Sequence, residues 1–95
     1  MNKQTANAPN VDTDNVSLPQ WMVLVHNDDV NTFEYVINCF MEIAGMKLQQ
    51  AVIKTLEVDK EGVSVIKITH KEYAEFIMEQ LKSCGLSCSI EPTCE

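Results

Sequence analysis

Apolar positions along this chain follow two different periods, and each change of period marks a new element. Trp21-Met22-Val23-Leu24-Val25 is an unbroken run of large and β-branched side chains closed by His26, which predicts a strand over 21–26. Phe33, Val36, Ile37, Phe40, Met41 and Ala44 then recur every three or four positions, so a helix is expected from Thr32 to about Ala44, stopped by Gly45. Asn31 is expected to cap it, accepting from the amide of Glu34 while Glu34 reaches back to the amide of Asn31. Leu48, Ala51, Val52, Thr55 and Leu56 define the apolar face of a second helix, from about Leu48 to Asp59, ended by Gly62. Val63 to Thr69 reads as a strand, and Thr69-His70-Lys71-Glu72 as a second capping box. A third helix follows to about Cys84 with Tyr73, Ala74, Ile77 and Leu81 as its buried stripe. After Gly85, the alternation Leu86-Ser87-Cys88-Ser89-Ile90 predicts the last strand.

The order βααβαβ implies an α+β fold, a two-layer sandwich whose three-stranded antiparallel sheet is covered by three helices. All neighbours can be antiparallel if the first strand lies between the other two. Residues 1–19, with only isolated apolar side chains among Asn, Thr, Asp, Ser and Pro, are expected to form a disordered extension, because they bury too little to offset ordering. Residues 20–95 are expected to form one small domain.

Charge narrows the partners. A formal net charge of −7, seven scattered lysines and no arginine argue against nucleic acid, which needs clustered cations to displace counterions. Met1 to Gln20 has neither the apolar core nor the basic lead of a signal peptide, and no stretch approaches membrane-spanning length, so a cytoplasmic location, or an organelle stroma in a plastid-bearing source, is expected. Cys39, Cys84, Cys88 and Cys94 are then reduced thiols, Cys39 near the core, and their spacing is not that of a zinc site; no metal or other cofactor is expected.

The candidate chemistry lies where the first strand meets the first helix, at His26-Asn27-Asp28-Asp29. Carboxylate and amide oxygens are fixed there beside an apolar helix face, and no lysine occurs between Lys3 and Lys47 to neutralise them. Such a junction can receive a cation. Asn and Asp are also the commonest turn formers, and a plain turn is the competing reading of this segment alone. His26 on a strand and His70 at a helix cap read as structural histidines, and no nucleophile elbow or phosphate loop accompanies them, so an enzyme is not expected.

In this order of elements, Val25-His26-Asn27-Asp28-Asp29, the capped Asn31-Thr32-Phe33-Glu34-Tyr35-Val36, Gly62 before an apolar strand and the closing Gly85-Leu86-Ser87-Cys88-Ser89-Ile90-Glu91-Pro92 resemble the ClpS family. These adaptors recognise amino-terminal degradation signals and deliver them to a Clp AAA+ chaperone and its protease. The resemblance implies that Asp28 pairs with the α-ammonium of the degron, Asn27 contacts the ammonium or the first peptide unit, and Asn31 orients the peptide backbone, with Asp29 shaping the turn. It implies a side-chain pocket of Phe33, Val36, Thr55, Val58 and Leu86, and docking to the chaperone's N-terminal domain through Glu72. A monomer without nucleic-acid or membrane partners is expected.

Three positions depart from the family pattern. Where it has a histidine that helps bind the α-amino group, in V-H-x-x-G, this chain reads Val58-Asp59-Lys60-Glu61-Gly62, so Asp59 becomes the implied ammonium ligand and brings a second carboxylate near Asp28. Phe33 stands where methionine is common, and a rigid ring implies a narrower choice among Leu, Phe, Tyr and Trp, with Trp the one to lose. Ile77 stands where a docking lysine is expected. The Asp59 change also admits an alternative, a ClpS-like regulator that binds the chaperone and modulates its substrate choice without binding degrons.

Overall fold

The first apolar run forms the middle of the sheet. In the computed structural model, which describes residues 19–93, β1 (Gln20–His26) is followed by α1 (Phe33–Ala44), α2 (Leu48–Glu61), β2 (Val63–His70), α3 (Lys71–Ser83) and β3 (Ser87–Pro92). The extension expected over residues 1–19 lies outside the described residues except for Pro19, as does Cys94. The sheet order is β2-β1-β3 and both pairings are antiparallel, as expected for a central first strand.

Register decides which side chains meet the helices. Val25 faces Cys88 and Val23 faces Ile90 across β1 and β3, and all four contribute to the core. Between Val23 and Leu24 the pairing with β2 slips from Lys67 to Val65, so Ile66 is an extra residue in a bulge, which leaves it buried. Phe40, Ile77, Leu81 and Val23 are the largest fully buried side chains, and the core draws on all three helices. Each large side chain removed from water there contributes about 1.5–3 kcal/mol.

The helix starts and faces differ from expectation in instructive ways. Thr32, not Asn31, caps α1, its hydroxyl accepting from the amide of Tyr35 at 3.2 Å. His70, not Thr69, caps α3, where Nδ1 accepts from the amide of Tyr73 at 3.4 Å. Glu72 is therefore not held in a capping box. On α2 the buried residues are Ala51, Thr55 and Val58, while Leu48 and Leu56, expected inside, are 56% and 49% exposed. Tyr73 on α3 and Phe33 at the start of α1 are likewise more than 40% exposed. Short helices on a three-stranded sheet bury a narrow stripe, and apolar residues flanking that stripe stay at the surface.

Candidate functional site

The loop from β1 to α1 is held by its own polar side chains. Its first amide, that of Asn27, donates to the carbonyl of Gly62 at 3.0 Å, which ties the loop to the end of α2. Gly62 is there because α2 stops with a left-handed residue, φ 88°, a conformation only glycine adopts freely. Asp28 accepts twice, at Oδ1 from the amide of Val30 (3.1 Å) and at Oδ2 from Nδ2 of Asn31 (3.2 Å). Asp29 has φ 60° and accepts from Nδ2 of Asn27 at 3.2 Å, a turn-shaping contact.

Released from capping, Asn31 bridges segments instead. Its Nδ2 donates to Asp28 and also to the carbonyl of Gly85 at 3.1 Å, so the loop reaches across to the chain entering β3. Tyr35, one turn into α1, donates its hydroxyl to the neighbouring carbonyl of Cys84. Partial burial first, then the neighbouring thiols of Cys39 and Cys84, raise the phenol above its ordinary pKa.

These ties close three segments around one hollow, narrow inside at about 30 Å³ and about 350 Å³ only when the open space at its mouth is counted. Asn27, Asp28, Asn31 and Asp59 line it together with Phe33, Val36, Thr55, Val58 and Leu86, so all nine residues assigned to ammonium and pocket from the sequence meet in one place. Thr55, Val58 and Leu86 are buried, Asp28 is half-buried, and Phe33, 46% exposed, stands at the edge. Asp28 and Asp59 give the hollow two carboxylates, and among the described residues no lysine lines it. The hydroxyl oxygen of Thr55, a residue 4% exposed, has no hydrogen-bond partner among the described residues.

Val25 and His26 also line the hollow, although neither was among the residues assigned to the ammonium or the pocket. The signal was their position: they are the last two residues of β1, next to Asn27. His26 alternates away from Val25 on the strand and its Nε2 lies 2.9 Å from Oγ of Ser89, which is the structural partnership expected of it.

Glu72 lies apart from the hollow, at a separate recess formed with Pro19, Trp21, His70 and Lys71, where the Lys71 ammonium sits 4.9 Å from the centre of the Trp21 ring. Tyr73 and Phe76 stack beyond it, ring centres 6.2 Å apart. Ile77 is 1% exposed, so the position where the resemblance implied a docking lysine belongs to the core. Among the described residues no helix is long and apolar enough to cross a membrane, and no three His, Cys, Asp or Glu side chains are grouped to hold a metal.

Comparison with known proteins agrees with this architecture. The ATP-dependent Clp protease adapter protein ClpS of Synechococcus elongatus is 40% identical over 90 residues, covering 94% of this chain and 95% of its own length. The protein of the same name from Gloeobacter violaceus is 37% identical over 78 residues, covering 81% and 84%. A solved structure of Agrobacterium tumefaciens ClpS2 bound to L-phenylalaninamide superposes with a TM-score of 0.75 at 19% identity, covering 78% of this chain and 96% of that one, and so shares the fold. The family model for the ATP-dependent Clp protease adaptor protein ClpS matches residues 17–89, and the chain belongs to that family of Clp protease adaptors.

Proposed function

We propose that the hollow binds the free amino terminus of a protein whose first residue is large and apolar, and that the adaptor delivers such proteins to a Clp AAA+ chaperone for degradation. The observation that carries this reading is the pairing of two carboxylates with apolar side chains around one hollow that, among the described residues, no lysine lines. An amino-terminal degron offers the complement, an α-ammonium and a bulky side chain on the same carbon. The ligand of the Agrobacterium structure, L-phenylalaninamide, has that chemistry too.

In this reading Asp28 and Asp59 flank the ammonium and Asn27 supports it or the first peptide unit. Both donors of Asn31 are committed within the fold, which leaves its carbonyl oxygen to orient the peptide. Phe33, Val36, Thr55, Val58 and Leu86 receive the side chain. Burying that side chain contributes about 1.5–3 kcal/mol and each charge-assisted hydrogen bond about 1.5–3 more before ordering costs, so affinity on the order of micromolar is attainable.

The test is fluorescence anisotropy of peptides beginning with Leu, Phe, Tyr, Trp or Ala, each with a free or an acetylated amino terminus. Binding should be confined to free, bulky termini and should weaken in Asp28→Ala by about tenfold or more, the worth of one charge-assisted bond. Equal binding of acetylated peptides would refute the ammonium site. Failure of every peptide, with chaperone binding intact, would favour the regulator reading, for which Asp59 is the motivating observation.

Delivery needs a second surface. Glu72 beside the Trp21 recess, with Tyr73 and Phe76 exposed next to it, is our candidate for docking the chaperone's N-terminal domain. Glu72→Lys and Phe76→Ala should reduce capture of that domain while leaving degron peptides bound; unchanged capture by both variants would remove the assignment.

A further inference from the structure

Two polar side chains are buried in the described part of the fold, and they contrast sharply. Ser64 donates its hydroxyl to Glu57 and is satisfied. Thr55 is not: its Oγ1 is buried, finds no partner among the described residues, and belongs to a residue lining the hollow. A threonine in a helix can return its hydroxyl to the carbonyl four residues earlier, yet this one does not. Leaving such a group unpaired costs about 1–3 kcal/mol, so a buried orphan on a residue that lines the hollow points to a partner that arrives with the ligand.

Its placement says which atom that partner carries. Thr55 and Asp59 are four residues apart on α2, hence on one face and about 6 Å apart along the axis. A first residue anchored by its ammonium at Asp28 and Asp59 would send its side chain one helical turn along α2 toward Thr55. That is the reach of tyrosine from Cα to phenol, while Phe ends in carbon short of that point and Leu is shorter still.

We infer that Thr55 is a specificity residue that hydrogen-bonds the polar tip of a tyrosine at the ligand's first position, so that this adaptor prefers Tyr over the otherwise equal Phe. The inference rests on the degron reading of the hollow and deepens it. Discrimination of this kind arises because an apolar tip leaves the hydroxyl stranded, whereas a phenol satisfies it and is itself satisfied.

The experiment compares Tyr- and Phe-initiated peptides, identical otherwise, on wild type, Thr55→Val and Thr55→Ser. Wild type should bind Tyr about two- to tenfold more tightly than Phe, the worth of one neutral hydrogen bond. Thr55→Val, which keeps the shape and removes the hydroxyl, should strengthen Phe and weaken Tyr until the ratio reaches unity or inverts; Thr55→Ser should retain the Tyr preference. The unliganded Thr55→Val protein should also melt at a higher temperature than wild type, which shows independently that the variant folds and that the hydroxyl was unpaired. The same Tyr-to-Phe ratio in wild type and Thr55→Val would overturn the inference and leave the degron reading standing. If neither free-amine peptide binds wild type, both fall.

Discussion

Asn31 shows how one side chain can be read correctly for place and wrongly for task. Capping chemistry suits both Asn31 and Thr32, and the structure gives the cap to Thr32 because the Asn31 amide has two donors that the loop carboxylate and the Gly85 carbonyl can both use. Cys39 is a residue whose environment could be read only once packed. It is 5% exposed, and burial first, then the neighbouring Cys84 thiol, push it from its ordinary 9.0 to about 11. A raised pKa means that the folded state holds the proton where the unfolded chain has begun to release it. The stabilisation from Cys39 is therefore whole below pH 9 and is lost as pH rises through about 11. Denaturant midpoints should fall across that window in wild type and fall less steeply in Cys39→Ala, Cys88 retaining part of the slope because burial raises its thiol too. An identical slope in both proteins would contradict this assignment.

Elements are positioned by their ends as much as by their faces. The C-terminal glycine of α2 serves twice, since Gly62 lets the helix stop in a left-handed turn and its carbonyl anchors the amide of Asn27. A Cβ at Gly62 would meet nothing within 4 Å, so Gly62→Ala is a test of conformation alone. It should destabilise the fold by about 1–2 kcal/mol, the cost of a left-handed alanine, measured by urea unfolding. A neutral result would mean that the turn adopts another conformation in solution. Helix α2 also shows the limit of periodicity: Thr55 was legible as a face residue, but Leu56 beside it looked more apolar and proved to be at the surface. The spacing of apolar residues fixes a buried stripe only to within a neighbouring position when both candidates are apolar or small.

At the scale of the molecule, the hollow is a junction of segments far apart in sequence: the loop after β1, the end of α2 and the chain entering β3. Its acidic lining sits in a chain of net charge −7, so under the proposed function the whole field as well as the two carboxylates would draw a cationic amino terminus toward it. Binding of a Phe-initiated peptide should weaken several-fold between ionic strengths of about 0.05 and 0.5 M, since exposed charge attraction is screened over that range while burial of the ring is not. Salt-independent affinity would place the ammonium away from Asp28 and Asp59. The recess at Trp21 and Glu72 is distinct from the hollow, so under the proposed function the adaptor would hold a degron and a chaperone at once.

The sequence by itself determined the six elements in order and the antiparallel pairing available to a central first strand, while nine of the residues around the hollow were implied by the resemblance to the ClpS family. The elements follow from local period, glycine stops and chemical type, which act over a few residues; the site residues and their roles came from the resemblance. Only the tertiary structure decided that Thr32 caps α1, that Leu48, Leu56 and Tyr73 stay at the surface, that Val25 and His26 join the site, and that the hydroxyl of Thr55 is left without a partner. Each depends on what distant segments bring alongside, because a hydrogen-bond partner or a covering side chain is a property of packing and is not written in the neighbouring residues.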